Sequence, residues 1–176
     1  QVLREQGVKV AHYIMTRLPP PLPCCTCCNS FKNITAMVDR ALSAYPQDSI
    51  FYDNGPFANT ESLYLPLYQY ARHWHGQERE VLFNSEWTTF EEIYLTNTSA
   101  VMMAYEGYGS TMEATTINPS KFDWTPFPRA RFAMCIENVT SAADAIEVVK
   151  KGTELHFGSF FLTSQTADYS ILPDYW

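Results

Sequence analysis

Arg79-Glu80-Val81-Leu82-Phe83, Phe90-Glu91-Glu92-Ile93-Tyr94-Leu95-Thr96 and Val101-Met102-Met103-Ala104-Tyr105 are three runs rich in β-branched and aromatic residues, and a fourth spans Met112 to Ile117. Asn97-Thr98-Ser99 and Gly107-Tyr108-Gly109-Ser110 punctuate them. Such runs at roughly ten-residue spacing predict an antiparallel meander. The meander decides the fold class: α+β, with a single strongly bent antiparallel sheet, cone or barrel-like, and two or three helices packed against it.

Working outward, Ile34, Met37, Val38, Ala41, Leu42 and Tyr45 fall on one helical stripe, capped by Asn29 or Ser30 and closed by Pro46, which predicts a helix over 31–45. Ser49-Ile50-Phe51-Tyr52 reads as a short strand stopped by Asp53-Asn54-Gly55-Pro56. Residues 60–75 read as a helix in which Pro66 is a fault, with Thr60 or Asn59 as cap. A proline-rich connection at 118–128 carries Phe122, Trp124 and Phe127 as a lid over a core end, and 131–136 is a strand. Ser141-Ala142-Ala143-Asp144 is a capping box opening a helix to 151, with Ala142, Ala145, Ile146 and Val149 as its buried stripe. Strands over 157–163 and 169–172 complete the chain. Residues 1–28 read as an N-terminal arm with a Pro-rich and Cys-rich segment, and 29–176 as a single α+β domain.

Composition narrows function. Among 176 residues only 18% are charged and 46% are hydrophobic, the balance of a folded globule. A net charge of −7 without clustered Lys or Arg argues against a nucleic-acid partner. No apolar run reaches the roughly 18 residues that cross a bilayer, so no transmembrane segment is expected.

The sequons Asn33-Ile34-Thr35, Asn97-Thr98-Ser99 and Asn138-Val139-Thr140 point to a secreted or secretory-pathway glycoprotein. In that compartment Cys24, Cys25, Cys27 and Cys28 are disulfide formers, one of them bonded to Cys135. Closing so long a loop adds on the order of 4 kcal/mol in the chain-entropy model. Five cysteines leave at least one thiol free, modified or bonded to another chain.

Reaction chemistry is less legible. The pair His73 and His75 lacks a third ligand at recognisable spacing, so no metal is expected. There is no G-x-S-x-G and no glycine-rich phosphate loop, so neither a nucleophilic serine nor a nucleotide cofactor is expected. Asp53, at a strand end, is the best-placed general base, with His73 or His75 as its proton-transfer companion.

Aromatic bulk is the main functional signal. Trp87, Tyr94, Met103, Tyr105 and Phe132 are expected to line a pocket in the concave face of the sheet. In length, acidity and strand count the chain is similar to lipocalins, although their Gly-x-Trp is absent and a long helix precedes most of the sheet; the element order also suits an NTF2-like cone. The function expected is that of a non-enzymatic glycoprotein binding a small apolar ligand or a protein partner. An NTF2-like enzyme using Asp53 and a histidine, or an accessory subunit of a larger assembly, are the alternatives.

Overall fold

The computed structural model describes residues 9–16, 30–56, 59–85, 90–111, 123–165 and 173–174. The cysteine cluster Cys24–Cys28, Trp87, Phe122 and the strands expected over 112–117 and 169–172 lie outside the described residues. The chain forms two compact units, Gln1–Asn84 with Ile93–Ala100, and Ser85–Glu92 with Val101–Trp176.

The first unit alternates strands and helices: β1 (Ala11–Met15), α1 (Phe31–Ala44), β2 (Ser49–Asp53), α2 (Glu61–Arg72), β3 (Val81–Asn84) and most of α3 (Glu92–Thr96). β1, within the segment expected to be an arm, pairs parallel with β2 in the register Tyr13↔Phe51 and Met15↔Asp53. β2 in turn pairs parallel with β3, Tyr52 opposite Phe83. On α1 the Ser30 side chain accepts the Asn33 N–H, and Ile34, Val38 and Leu42 are wholly buried. Met37 and Tyr45, assigned to the same stripe, stay exposed. Helices α1 and α2 are tied by Asp39, whose Oδ1 accepts from the Tyr70 hydroxyl at 2.6 Å and from Trp74 Nε1 at 2.9 Å. Phe83 is the aromatic centre of this core: Tyr52 stacks on it at 5.6 Å, and Tyr64 and Tyr94 meet it edge-on.

The second unit holds β4 (Val101–Tyr108), β5 (Phe132–Glu137), α4 (Ala142–Glu154) and β6 (Ser159–Leu162). β4–β5 and β5–β6 are both parallel, with a register shift in β4 between Met103 and Tyr105. The N-cap half of the expected capping box forms: Ser141 Oγ accepts the Asp144 N–H at 3.1 Å, while the Asp144 carboxylate accepts from the Ser141 hydroxyl at 2.7 Å in place of the Ser141 N–H. The expected stripe of α4 is displaced. Val148 and Gly152 are its buried positions, while Ile146 is 58% exposed. Trp124 centres this core, with Phe132 at 4.8 Å, Phe157 at 5.6 Å and Phe90 at 5.9 Å.

The antiparallel meander is therefore corrected: the strand pairings of β1-β2-β3 and of β4-β5-β6 are all parallel. Parallel neighbours need a crossover, and helices supply it after β2 and β5. Residues 92–96, expected as a strand, are helix α3. A strand covered on both faces reads as an uninterrupted apolar run, which is why β5 buries five of its six positions. Lipocalin barrels and NTF2-like cones are antiparallel architectures, so both comparisons fall with the meander.

Cys135 stands inside β5 as a free, buried thiol. Burial pushes its pKa up to about 12, and the charges of Glu106 and Glu137 add to the effect. Because the thiolate is the reactive form, the native thiol should resist alkylation at about pH 8 and react once the chain unfolds. Peptide-level mass spectrometry after iodoacetamide treatment, with and without urea, checks this; equal labelling in both would refute it.

Candidate functional site

The carboxyl ends of β1, β2 and β3 converge on one side chain, Asp53. It is 8% exposed, yet it sits where the sheet stops and the Asp53-Asn54-Gly55-Pro56 turn begins. Its Oδ1 accepts from Asn84 Nδ2 at 2.8 Å. Its Oδ2 accepts from the Tyr13 hydroxyl at 2.6 Å and from Asn54 Nδ2 at 2.6 Å. A carboxylate offers about four acceptor positions, so three donors leave one, on Oδ1. Donors of this kind are the compensation a buried carboxylate requires.

A second layer fixes the turn. Thr16 donates to the Asp53 carbonyl at 2.6 Å, and its Oγ1 lies 2.6 Å from the Tyr64 hydroxyl. The Tyr64 hydroxyl also lies 3.0 Å from the Asn54 carbonyl, so its single proton is shared between that oxygen and Thr16 Oγ1. Asn54 takes a left-handed conformation, φ 61°, which asparagine tolerates better than most residues. The Gly55 N–H donates to the Asn84 carbonyl at 2.8 Å, closing the turn onto β3.

The remaining sequence candidates are placed elsewhere. His73 and His75 are exposed residues beyond the C-terminus of α2, with His75 stacked on Trp74 at 3.9 Å. Because α2 runs from the carboxyl end of β2 to the amino end of β3, these histidines stand at the opposite end from Asp53. Among the described residues no group of three metal-ligating side chains forms. Of the expected pocket residues, Tyr94 is fully buried with its hydroxyl 3.1 Å from Thr60 Oγ1. Met103 is half-buried, the Tyr105 hydroxyl donates to the Tyr108 carbonyl at 2.9 Å, and Phe132 packs on Trp124.

In the second unit a groove of about 270 Å³ opens beyond the carboxyl ends of β4 and β5. Tyr108, Glu137, Asn138, Asp144, Glu147 and Lys151 are among its walls. Its carboxylates outnumber its one ammonium, so it disfavours anions.

Both units thus place polar side chains at the carboxyl ends of parallel strands, the edge at which α/β proteins hold ligands. That defines the class: a parallel α/β protein with a candidate site at its strand ends. The chain belongs to the spherulation-specific family 4, Spherulin4, whose model matches residues 1–176. No curated protein sequence matches it. Among solved structures, that of Aspergillus clavatus Sph3 in complex with GalNAc is similar with a TM-score of 0.62 at 14% identity, over 82% of this chain. This chain spans 63% of that structure's chain, and the likeness is one of fold.

Sequence reasoning missed Tyr13, Asn84, Thr16 and Tyr64 as companions of Asp53. The turn itself gives a direct check. A Cβ on Gly55 would lie 1.9 Å from the Tyr64 hydroxyl oxygen and 2.1 Å from Cζ, and that hydroxyl is held between Thr16 Oγ1 and the Asn54 carbonyl. Gly55→Ala is expected to cost about 1–3 kcal/mol by overpacking, read as a lowered urea midpoint. A midpoint equal to wild type would mean the Tyr64 ring is not held there.

Proposed function

We propose that this protein binds carbohydrate at the carboxyl edge of β1–β3, with Asp53 as the pivotal acceptor. The observation that carries the reading is a carboxylate fixed by three donors at the strand ends, whose Oδ1 accepts from one described donor, the Asn84 amide, and so keeps capacity for a second. A hydroxyl of a pyranose fills that capacity as a donor, and discrimination rests on a buried polar group left unpaired when the hydroxyl is missing. The ligand is thus a polyhydroxylated molecule, in place of the small apolar ligand expected from the aromatic content. The GalNAc bound to the structural neighbour supports the same class.

A second reading, glycoside hydrolysis, is favoured by the same side chain being a carboxylate fixed by three donors. Glycosidases place Asp or Glu at the scissile bond, and a fixed carboxylate within hydrogen-bond reach serves as general acid or base. Asp53→Asn keeps the shape and removes the charge. Calorimetric titration with N-acetylgalactosamine and longer glycans is expected to give a weaker complex for Asp53→Asn and Asn84→Ala than for wild type. Turnover of aryl N-acetylhexosaminides, where present, should fall by about 10²–10⁴ in Asp53→Asn. Undiminished sugar binding in both variants rejects this site.

We further propose that the chain passes through the secretory pathway. Among the described residues no helix is long and apolar enough to cross a membrane. Asn97 is exposed after α3, and Asn138 is exposed after β5 with φ 57°. Asn33 is half-buried within α1, and Thr35 of its sequon is 8% exposed and donates to the Lys32 carbonyl. Glycans are therefore expected on Asn97 and Asn138 and not on Asn33. Peptide-N-glycosidase treatment of protein from a eukaryotic host, which hydrolyses the side-chain amide and leaves Asp, followed by site mapping, should show Asn97 and Asn138 converted to Asp; an unchanged mass counts against secretion.

A further inference from the structure

We infer that Tyr13 is the platform on which the bound sugar ring lies, and that its hydroxyl positions Asp53; the inference rests on the carbohydrate reading of that site. On β1, Ile14 and Thr16 are buried at 3% and 1%, while Tyr13 and Met15 point to the other side and are 56% and 36% exposed. The Tyr13 ring is nevertheless held at both ends. Its hydroxyl donates to Asp53 Oδ2 at 2.6 Å, and Phe51 of β2 supports it at 6.0 Å with a 57° tilt.

A ring fixed in advance loses little conformational freedom when something lies on it, which is what makes tyrosine a good contact surface. A pyranose has the matching form: one face of C–H groups and a rim of hydroxyls. With its apolar face on Tyr13, its rim reaches the open acceptor position on Asp53 Oδ1, because ring and carboxylate are already joined by a hydrogen bond. Met15, on the same side of β1, extends the apolar surface. The arrangement selects neutral sugars that present a continuous C–H face, and it makes Tyr13 a specificity-determining residue with two separable roles.

Two substitutions separate those roles. Tyr13→Phe keeps the platform and removes the donor to Asp53; Tyr13→Leu removes both. Each protein is first compared with wild type by circular dichroism, then titrated with the methyl glycoside of N-acetylgalactosamine and with a glycan oligomer. Saturation-transfer NMR reports which sugar protons approach aromatic side chains. Wild type is expected to transfer saturation mainly to the ring C–H protons on one face. Tyr13→Phe should retain that pattern with a Kd raised about threefold, and Tyr13→Leu should lose the pattern with a Kd raised about tenfold or more. A folded Tyr13→Leu protein that binds with wild-type affinity, or keeps the wild-type transfer pattern, overturns the role of Tyr13 and leaves carbohydrate binding standing. Wild type with no affinity for any sugar tested overturns both.

Discussion

A carboxylate removed from water must be repaid by donors, and Asp53 draws its donors from β1, from β3 and from its own turn. That requirement organises the end of the first unit. Tyr13 must lie across β2, Asn84 must end β3 with its amide turned inward, and Asn54 must adopt a left-handed backbone to bring its amide to Oδ2. The backbone of the same turn is held by Thr16 and Tyr64, whose hydroxyls are 2.6 Å apart. Loss of one donor leaves a buried charge partly unsatisfied, which costs more than the bond contributes when intact. The site and the strand ends are thus one structure, and a change in either is felt in both.

Behind this edge, packing follows from parallel pairing. Strands covered on both faces need apolar residues at consecutive positions, and β2 accordingly buries Ile50, Tyr52 and even Asp53 while leaving only Phe51 partly open. Each unit then fills its interior with rings around one large residue, Phe83 in the first and Trp124 in the second. Arg79 shows how the charged exception is handled: it is 7% exposed, with guanidinium donors to the carbonyls of Trp74 and Pro46 and its face over the Trp74 ring at 5.2 Å.

Local signals were legible because they depend on neighbours in sequence. The stripe and cap of α1, the Ser141 cap of α4, the strands at β2, β3 and β5, and the helix around Pro66 all follow from spacing within a few residues. Strand direction was not, since an apolar run is the same whether its partner runs up or down. The segment Glu92–Thr96 illustrates the difficulty: β-branched and aromatic in composition, it forms one helical turn that buries Tyr94 and Leu95. Asp53 was visible as a polar residue closing an apolar strand. Its partners were not, because Asn84 lies 31 residues away and Tyr13 lies 40 residues away, and only parallel register brings them together.

Register also decides what the aromatic content means. At 15% of the chain, aromatic residues invite the picture of a lined cavity. Tyr52, Phe83, Tyr94, Phe132 and Phe157 are instead fully buried, and the described contacts place them against other rings. An aromatic residue spent on filling a core has no face left for a ligand. A ring proposed to meet a ligand must be one that the sheet leaves outside its core yet holds in place. Alternation along β1 puts Tyr13 outside while Ile14 and Thr16 go inside, and the parallel register sets it beside Phe51 with Asp53 two residues further along β2. The pleat that makes a parallel strand pack thus also delivers an exposed, fixed ring to a buried carboxylate.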